Sequence, residues 1–167
     1  RVWLESFSQG LADACAAIGA PLVGGDTTRG SLSLTVTVLG STPAEHYLTR
    51  TGAQPGDRLC ASGTLGDAAA GLAVLSEQLS VDESVAAFLT TRYTRPAARL
   101  ALGEALRSCA TSCIDVSDGL LAEAAHVATA SGVGLEIDSV LLPLSEAMGS
   151  LADSQLSLHW ALAGGDD

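Results

Sequence analysis

Apolar residues recur at helical spacing near the start of the chain, where Trp3, Leu4, Phe7, Leu11, Cys15 and Ile18 fall three or four apart. That spacing predicts a helix over residues 3–18, with Gly19 as its C-cap and Pro21 as its stop. Leu22 and Val23 read as a short buried strand running into a Gly-Gly-Asp turn. Over residues 31–39 the period changes to two: Leu32, Leu34, Val36 and Val38 point one way, Ser33, Thr35 and Thr37 the other. This predicts a half-buried strand with a Thr-rich second face. Residues 49–57 are turn-forming, rich in Gly, Thr and Pro, and mark a candidate domain junction.

Strand and helix signals then alternate. Strands are expected at 58–61, 110–115, 134–138 and finally around 159–163. Helices are expected at about 67–79, from an Asp82 cap, from Pro96 to about Arg107, from a Ser117 or Asp118 cap to Ala130, and briefly near Ser145. The order predicts an α/β fold, a mixed α+β sheet with helices packed on it.

Composition narrows the chemistry. With 167 residues, 47% of them hydrophobic and 16% charged, the chain has the apolar material for one core and is not a disordered polymer. No apolar run approaches the ~20 residues of a membrane-spanning helix, so no membrane partner is expected. Net charge is −11 and every basic residue is Arg. Without Lys there is no P-loop lysine, no protein-kinase lysine and no Schiff base. Clustered basic residues for a nucleic-acid backbone are absent too. Cys15, Cys60, Cys109 and Cys113 show no zinc-like spacing and read as small buried hydrophobes of a reducing, cytoplasmic protein. His46, His126 and His159 form no spaced set, and His126 reads as a partly buried helix residue.

Two acidic turns stand out: Gly24-Gly25-Asp26-Thr27-Thr28, and Ile114-Asp115-Val116-Ser117-Asp118-Gly119-Leu120. Asp115 and Asp118, three apart at a strand's end, suit an oxygen-seeking cation such as Mg²⁺. The same spacing equally suits Asp118 as a helix cap and Asp115 as a turn former. Gly63-Thr64-Leu65-Gly66 offers amides to an anion, or else lets a strand and a helix pack closely. Arg29 and Arg50 are cations near turns, either phosphate partners or plain surface residues.

Read in order, these motifs resemble a known family. Gly24-Gly25-Asp26-Thr27-Thr28-Arg29-Gly30, Arg50-Thr51-Gly52-Ala53, Pro55-Gly56-Asp57 and Ser62-Gly63-Thr64-Leu65-Gly66-Asp67 begin the series. Asp115-Val116-Ser117-Asp118-Gly119-Leu120, Ser131-Gly132-Val133-Gly134 and Gly164-Gly165-Asp166-Asp167 continue it. The set resembles the thiamine-monophosphate kinases of the aminoimidazole-ribonucleotide-synthetase-like superfamily. The resemblance implies that superfamily's two-domain fold, with residues 1–47 as the end of an N-terminal ATP-binding and dimerisation domain. Residues 48–167 would be most of the C-terminal α/β domain.

The activity implied is phosphorylation of thiamine phosphate by ATP, assisted by several Mg²⁺ ions in a homodimer. It further implies Gly25, Asp26, Arg50 and Ser117 as nucleotide contacts and Asp26, Asp115 and Asp118 as metal ligands. Asp166 would lie near the substrate, where many relatives carry Glu. No residue is assigned covalent or acid–base catalysis, since in-line transfer is mainly positioning and charge neutralisation. By the same resemblance the family's N-terminal Asp-rich metal loops are not among these residues, so this stretch alone is expected to be inactive. Two alternatives stay open: another ATP-using relative acting on a purine intermediate or a maturation substrate, and a non-catalytic dimerising remnant.

Overall fold

Small residues decide where the helices meet. In the computed structural model, which describes residues 2–166, α1 spans Val2–Ile18, α2 Asp67–Leu75, α3 Glu83–Thr94 and α4 Leu100–Leu106. α5 spans Leu120–Ser131, a 3₁₀ turn Ser139–Leu141, α6 Glu146–Gly149 and α7 Ser154–Ala163. The face of α2 that packs on α3 carries Ala70 and Gly71. Gly71 lies so close to the Leu89 carbonyl that a Cβ there would overlap it. Leu89 is fully buried and shares a cluster with Ala70 and Met148, edged by Val74, Val85 and Trp160. A second cluster joins Leu65, Leu120 and Ala161, with Val116, Ile137 and Leu142 against it. Together the two clusters seat α2, α3, α5, α6 and α7 around one core.

Asp67 organises this core from inside. It is completely buried at the first position of α2. Its carboxylate accepts from the Ser145 hydroxyl at 2.6 Å and from the Thr64 hydroxyl, and it pairs with Arg92 Nε at 3.4 Å. One carboxylate thereby ties together the turn before α2, α3 and the cap of α6. Ser145 in turn caps α6, accepting from the Met148 amide at 3.0 Å.

Most helix expectations hold in kind and shift at their ends. α1 closes at Gly19, with the Ala20 amide donating to the Cys15 carbonyl at 3.0 Å. α2 is shorter than 67–79, and Glu77 lies beyond it with a positive φ. α4 begins four residues after Pro96, and Asp82 precedes α3 without a side-chain capping bond.

The sheet is the main correction. Among the described residues there is no strand: 22–23, 31–39, 58–61, 110–115 and 134–138 enter no ladder. Alternation says which side chains share a face, whereas a ladder needs a second segment in register, and that requirement is not local. In 31–39 neither face is covered, and Leu34, Val36 and Val38 are all more than half exposed. Residues 159–163, expected as a strand, belong to α7. Leu156, Leu158, Trp160 and Leu162 do alternate, yet the buried positions are Ser157 and Ala161, four apart on a helix.

Candidate functional site

The Asp115–Asp118 turn leads into α5, whose N-cap is Gly119 and which has no side-chain cap, so neither Ser117 nor Asp118 caps it. The carboxylate reaches back from within the helix instead. Glu123 Oε1 accepts from the Ser117 hydroxyl at 3.1 Å and from the Asp118 amide at 3.2 Å. From the other side the Asp166 amide donates to the Ser117 carbonyl at 3.2 Å. Gly165 packs so tightly on the Ser117 carbonyl that any Cβ would overlap it. Two turns almost fifty residues apart thus abut, and Asp115, Ser117, Asp118 and Asp166 are all exposed there. Asp167 lies outside the described residues.

The Arg50 turn is placed elsewhere. Ser131, the last residue of α5, accepts from the Gly52 and Ala53 amides at 3.2 Å and donates to the Arg50 carbonyl at 3.3 Å. A twelve-residue helix is about 18 Å long, so Arg50 and Ser117 sit at opposite ends of α5. Beside Arg50, Asp57 accepts from the Thr111 hydroxyl at 2.7 Å and the Gln54 amide at 2.9 Å. These bonds, the Thr111 one foremost, hold its carboxyl below the usual aspartate range.

Gly25 and Asp26 are exposed, and the Asp26 carboxylate accepts from its neighbouring amide, Thr27 N, at 2.8 Å. Asp26, Asp115 and Asp118 therefore do not form one ligand group: no three His, Cys, Asp or Glu side chains among the described residues gather as a metal site. The Gly63–Gly66 turn is used internally. Its Leu65 amide donates to the Pro143 carbonyl at 2.9 Å, and the Arg99 guanidinium lies over Gly63. Gly66 lies so close to the Trp160–Ala161 backbone that a Cβ there would overlap it, so close packing accounts for that glycine.

Other expectations are corrected by exposure. None of the four cysteines is buried, and all are free thiols. His126 is exposed on α5. A groove of about 550 Å³ between α3 and α6, lined by Val85, Phe88 and Ala147, contains no candidate residue. Among the described residues no helix is long and apolar enough to cross a membrane.

Comparison with known proteins gives this arrangement its class. The family model of AIR synthase related protein, C-terminal domain, matches residues 54–159, and that of the N-terminal domain matches residues 1–42. The chain belongs to the AIR synthase related family. Within that family its similarity is to thiamine-monophosphate kinases. The Escherichia coli (strain K12) enzyme is 47% identical over 168 residues, covering 100% of this chain and 52% of its own length. The Aquifex aeolicus enzyme is 35% identical, covering 99% of this chain and 54% of its own length. The chain spans about half the length of the curated relatives it matches. The crystal structure of the Stenotrophomonas maltophilia K279a thiamine-monophosphate kinase superposes on 72% of this chain and 40% of that one, with a TM-score of 0.67 at 39% identity. AaThiL complexed with AMPPCP and TMP superposes on 71% of this chain and 39% of that one, with a TM-score of 0.62 at 37% identity. The AIR-synthase-like fold follows from these likenesses.

Proposed function

We propose that this chain carries part of an ATP-dependent kinase that phosphorylates thiamine phosphate to thiamine diphosphate. The observation that supports it most is the abutment of the Ser117 and Asp166 turns, joined by the Asp166 amide and the Ser117 carbonyl, with Asp115, Asp118 and Asp166 all exposed. A terminal phosphate oxygen of thiamine phosphate attacks the γ-phosphorus of ATP, the bond to the bridging oxygen breaks, and ADP leaves. The Asp115 and Asp118 donors are oxygens only, which fits Mg²⁺, a cation commonly held by one or two carboxylates with water and phosphate completing the shell. Bound Mg²⁺ would supply neutralisation of phosphate charge.

Asp115 and Asp118 hold cations on the α5 side, and Asp166 faces the substrate. Gly25 and Asp26 belong to the nucleotide end. Ser117 keeps its hydroxyl proton on Glu123, so it meets a nucleotide as an acceptor or through its backbone. Arg50, at the far end of α5, serves a different phosphate from the one beside Ser117. Residues 1–47 and 48–167 form parts of two domains, and a sheet completes the second. The uncovered Leu32, Leu34, Val36 and Val38 support a homodimer built through 31–39. A cytoplasmic location suits the four free thiols.

The experiment is an assay of the full-length protein carrying this chain, with ATP, Mg²⁺ and thiamine phosphate, scoring ADP and thiamine diphosphate in equal amounts. Asp115→Asn is expected to lower turnover at least ~100-fold without altering thermal unfolding. ADP release independent of thiamine phosphate, or an unimpaired Asp115→Asn variant, overturns the reading.

A further inference from the structure

Leu120, Glu123, Ala124 and Val127 form the buried face of α5, and Glu123, 4% exposed, is its only charged member. A buried carboxylate is costly unless it is well bonded. Glu123 spends its bonds on one object, the turn bearing Asp115 and Asp118: it accepts from both the Ser117 hydroxyl and the Asp118 amide. The opposite side of that turn is fixed by the Asp166 amide and by Gly119, whose hydrogen faces the Ala163 backbone where a Cβ would come within 2.8 Å. The turn is therefore clamped at its carbonyl by one segment and at its amide by Glu123.

We infer that Glu123 is a positioning residue, which holds the Ser117–Asp118 turn in the shape that presents Asp118 and Asp115 to a divalent cation. This rests on the reading of those two aspartates as cation ligands. Outer groups that orient a ligand commonly change metal affinity 10–100-fold when removed. Glu123 would not touch the cation itself. Its contribution is geometric, so an amide of equal length should replace it and an apolar side chain of equal length should not.

The test measures two things on the intact protein: hydrogen exchange of the Asp118 amide without metal, and Mn²⁺ affinity by electron paramagnetic resonance. Glu123→Met fills the buried space without an acceptor. It is expected to speed Asp118 exchange at least ~10-fold and to weaken Mn²⁺ binding about 10-fold or more. Glu123→Gln keeps a carbonyl at the same reach and is expected to stay within about threefold of wild type in both. The inference is overturned if Glu123→Met leaves both readouts unchanged. It is also overturned if Glu123→Gln is as weak as Glu123→Met, since charge rather than position would then be at work. Should Glu123→Met fail to fold, Glu123→Leu, likewise without an acceptor, takes its place under the same two readouts and the same criteria. Asp115→Asn separates the two ideas: if it leaves Mn²⁺ binding intact while Glu123→Met still frees the Asp118 amide, the cation reading is at fault and the inference falls with it.

Discussion

Residues 2–64 and residues 65–166 draw on the same kinds of apolar side chain and use them differently. The first stretch contains α1 and the alternating run 31–39, and no residue in it is buried. Its main side-chain packing is local, the stacked rings of Trp3 and Phe7, 5.4 Å apart on one face of α1. Every buried residue lies in the second stretch, where Ala, Gly and Leu from five helices interlock. A regular hydrophobic pattern prepares a face for burial, but only a partner surface buries it. In the second stretch the partners are other helices of the same chain.

The contrast is most exposed by paired truncations. Leu89→Ala is expected to cost about 2–5 kcal/mol in urea unfolding, through lost burial and a cavity beside Ala70 and Met148. Leu34→Ala, the same chemical change on the uncovered run, should stay within ~0.5 kcal/mol in the monomer. Equal costs would dissolve the comparison. Asp67→Ala comes next, at about 2–3 kcal/mol, because it strands the Thr64 and Ser145 hydroxyls and leaves Arg92 without its counter-charge. Arg92 keeps some access to water, which holds the loss below that of a wholly buried pair.

Ser131→Ala should cost about 1 kcal/mol and loosen the Arg50–Ala53 turn, seen as faster exchange of the Gly52 and Ala53 amides while the core amides stay protected. The smallest effect is in acid. Asp57 has its carboxyl lowered in the folded chain, so its stabilisation is present above the unfolded-state value and is lost as pH falls through the folded one. Thr111→Val removes the foremost cause, so the difference between variant and wild type in stability should shrink below the usual aspartate range. A gap that widens in acid would reverse the sign.

How much of this was legible depends on whether the signal was local. α1 and α5 were readable because their apolar spacing and their Gly ends lie within a few residues of each other. α7 was misread because its large side chains alternate while its buried face is made of small ones. The useful signal was Asp153, whose carboxylate accepts from the Gln155 and Leu156 amides at 3.0 Å as a helix cap does. The strands were unreadable as a sheet because pairing is a property of two segments. Within the site, the Ser117–Asp118 turn was visible as a motif, but its contact with Asp166 joins residues far apart in sequence. Glu123 was missed, although a carboxylate on the same helical face as Leu120, Ala124 and Val127 was there to be seen.

The unbroken run of α5 has one more consequence. Because Glu123 grips one turn and Ser131 another, the eight steps between them act as a gauge: they set the separation of the two turns and also their relative bearing. Each step adds ~1.5 Å along the axis and ~100° around it. A single residue inserted anywhere in that interval would hardly change the distance, yet it would swing the Arg50 turn about a quarter of the way round from the carboxylates. Substitutions along the exposed side of α5 leave this gauge intact, whereas a change in its length alters the bearing of the two turns, their separation, or both.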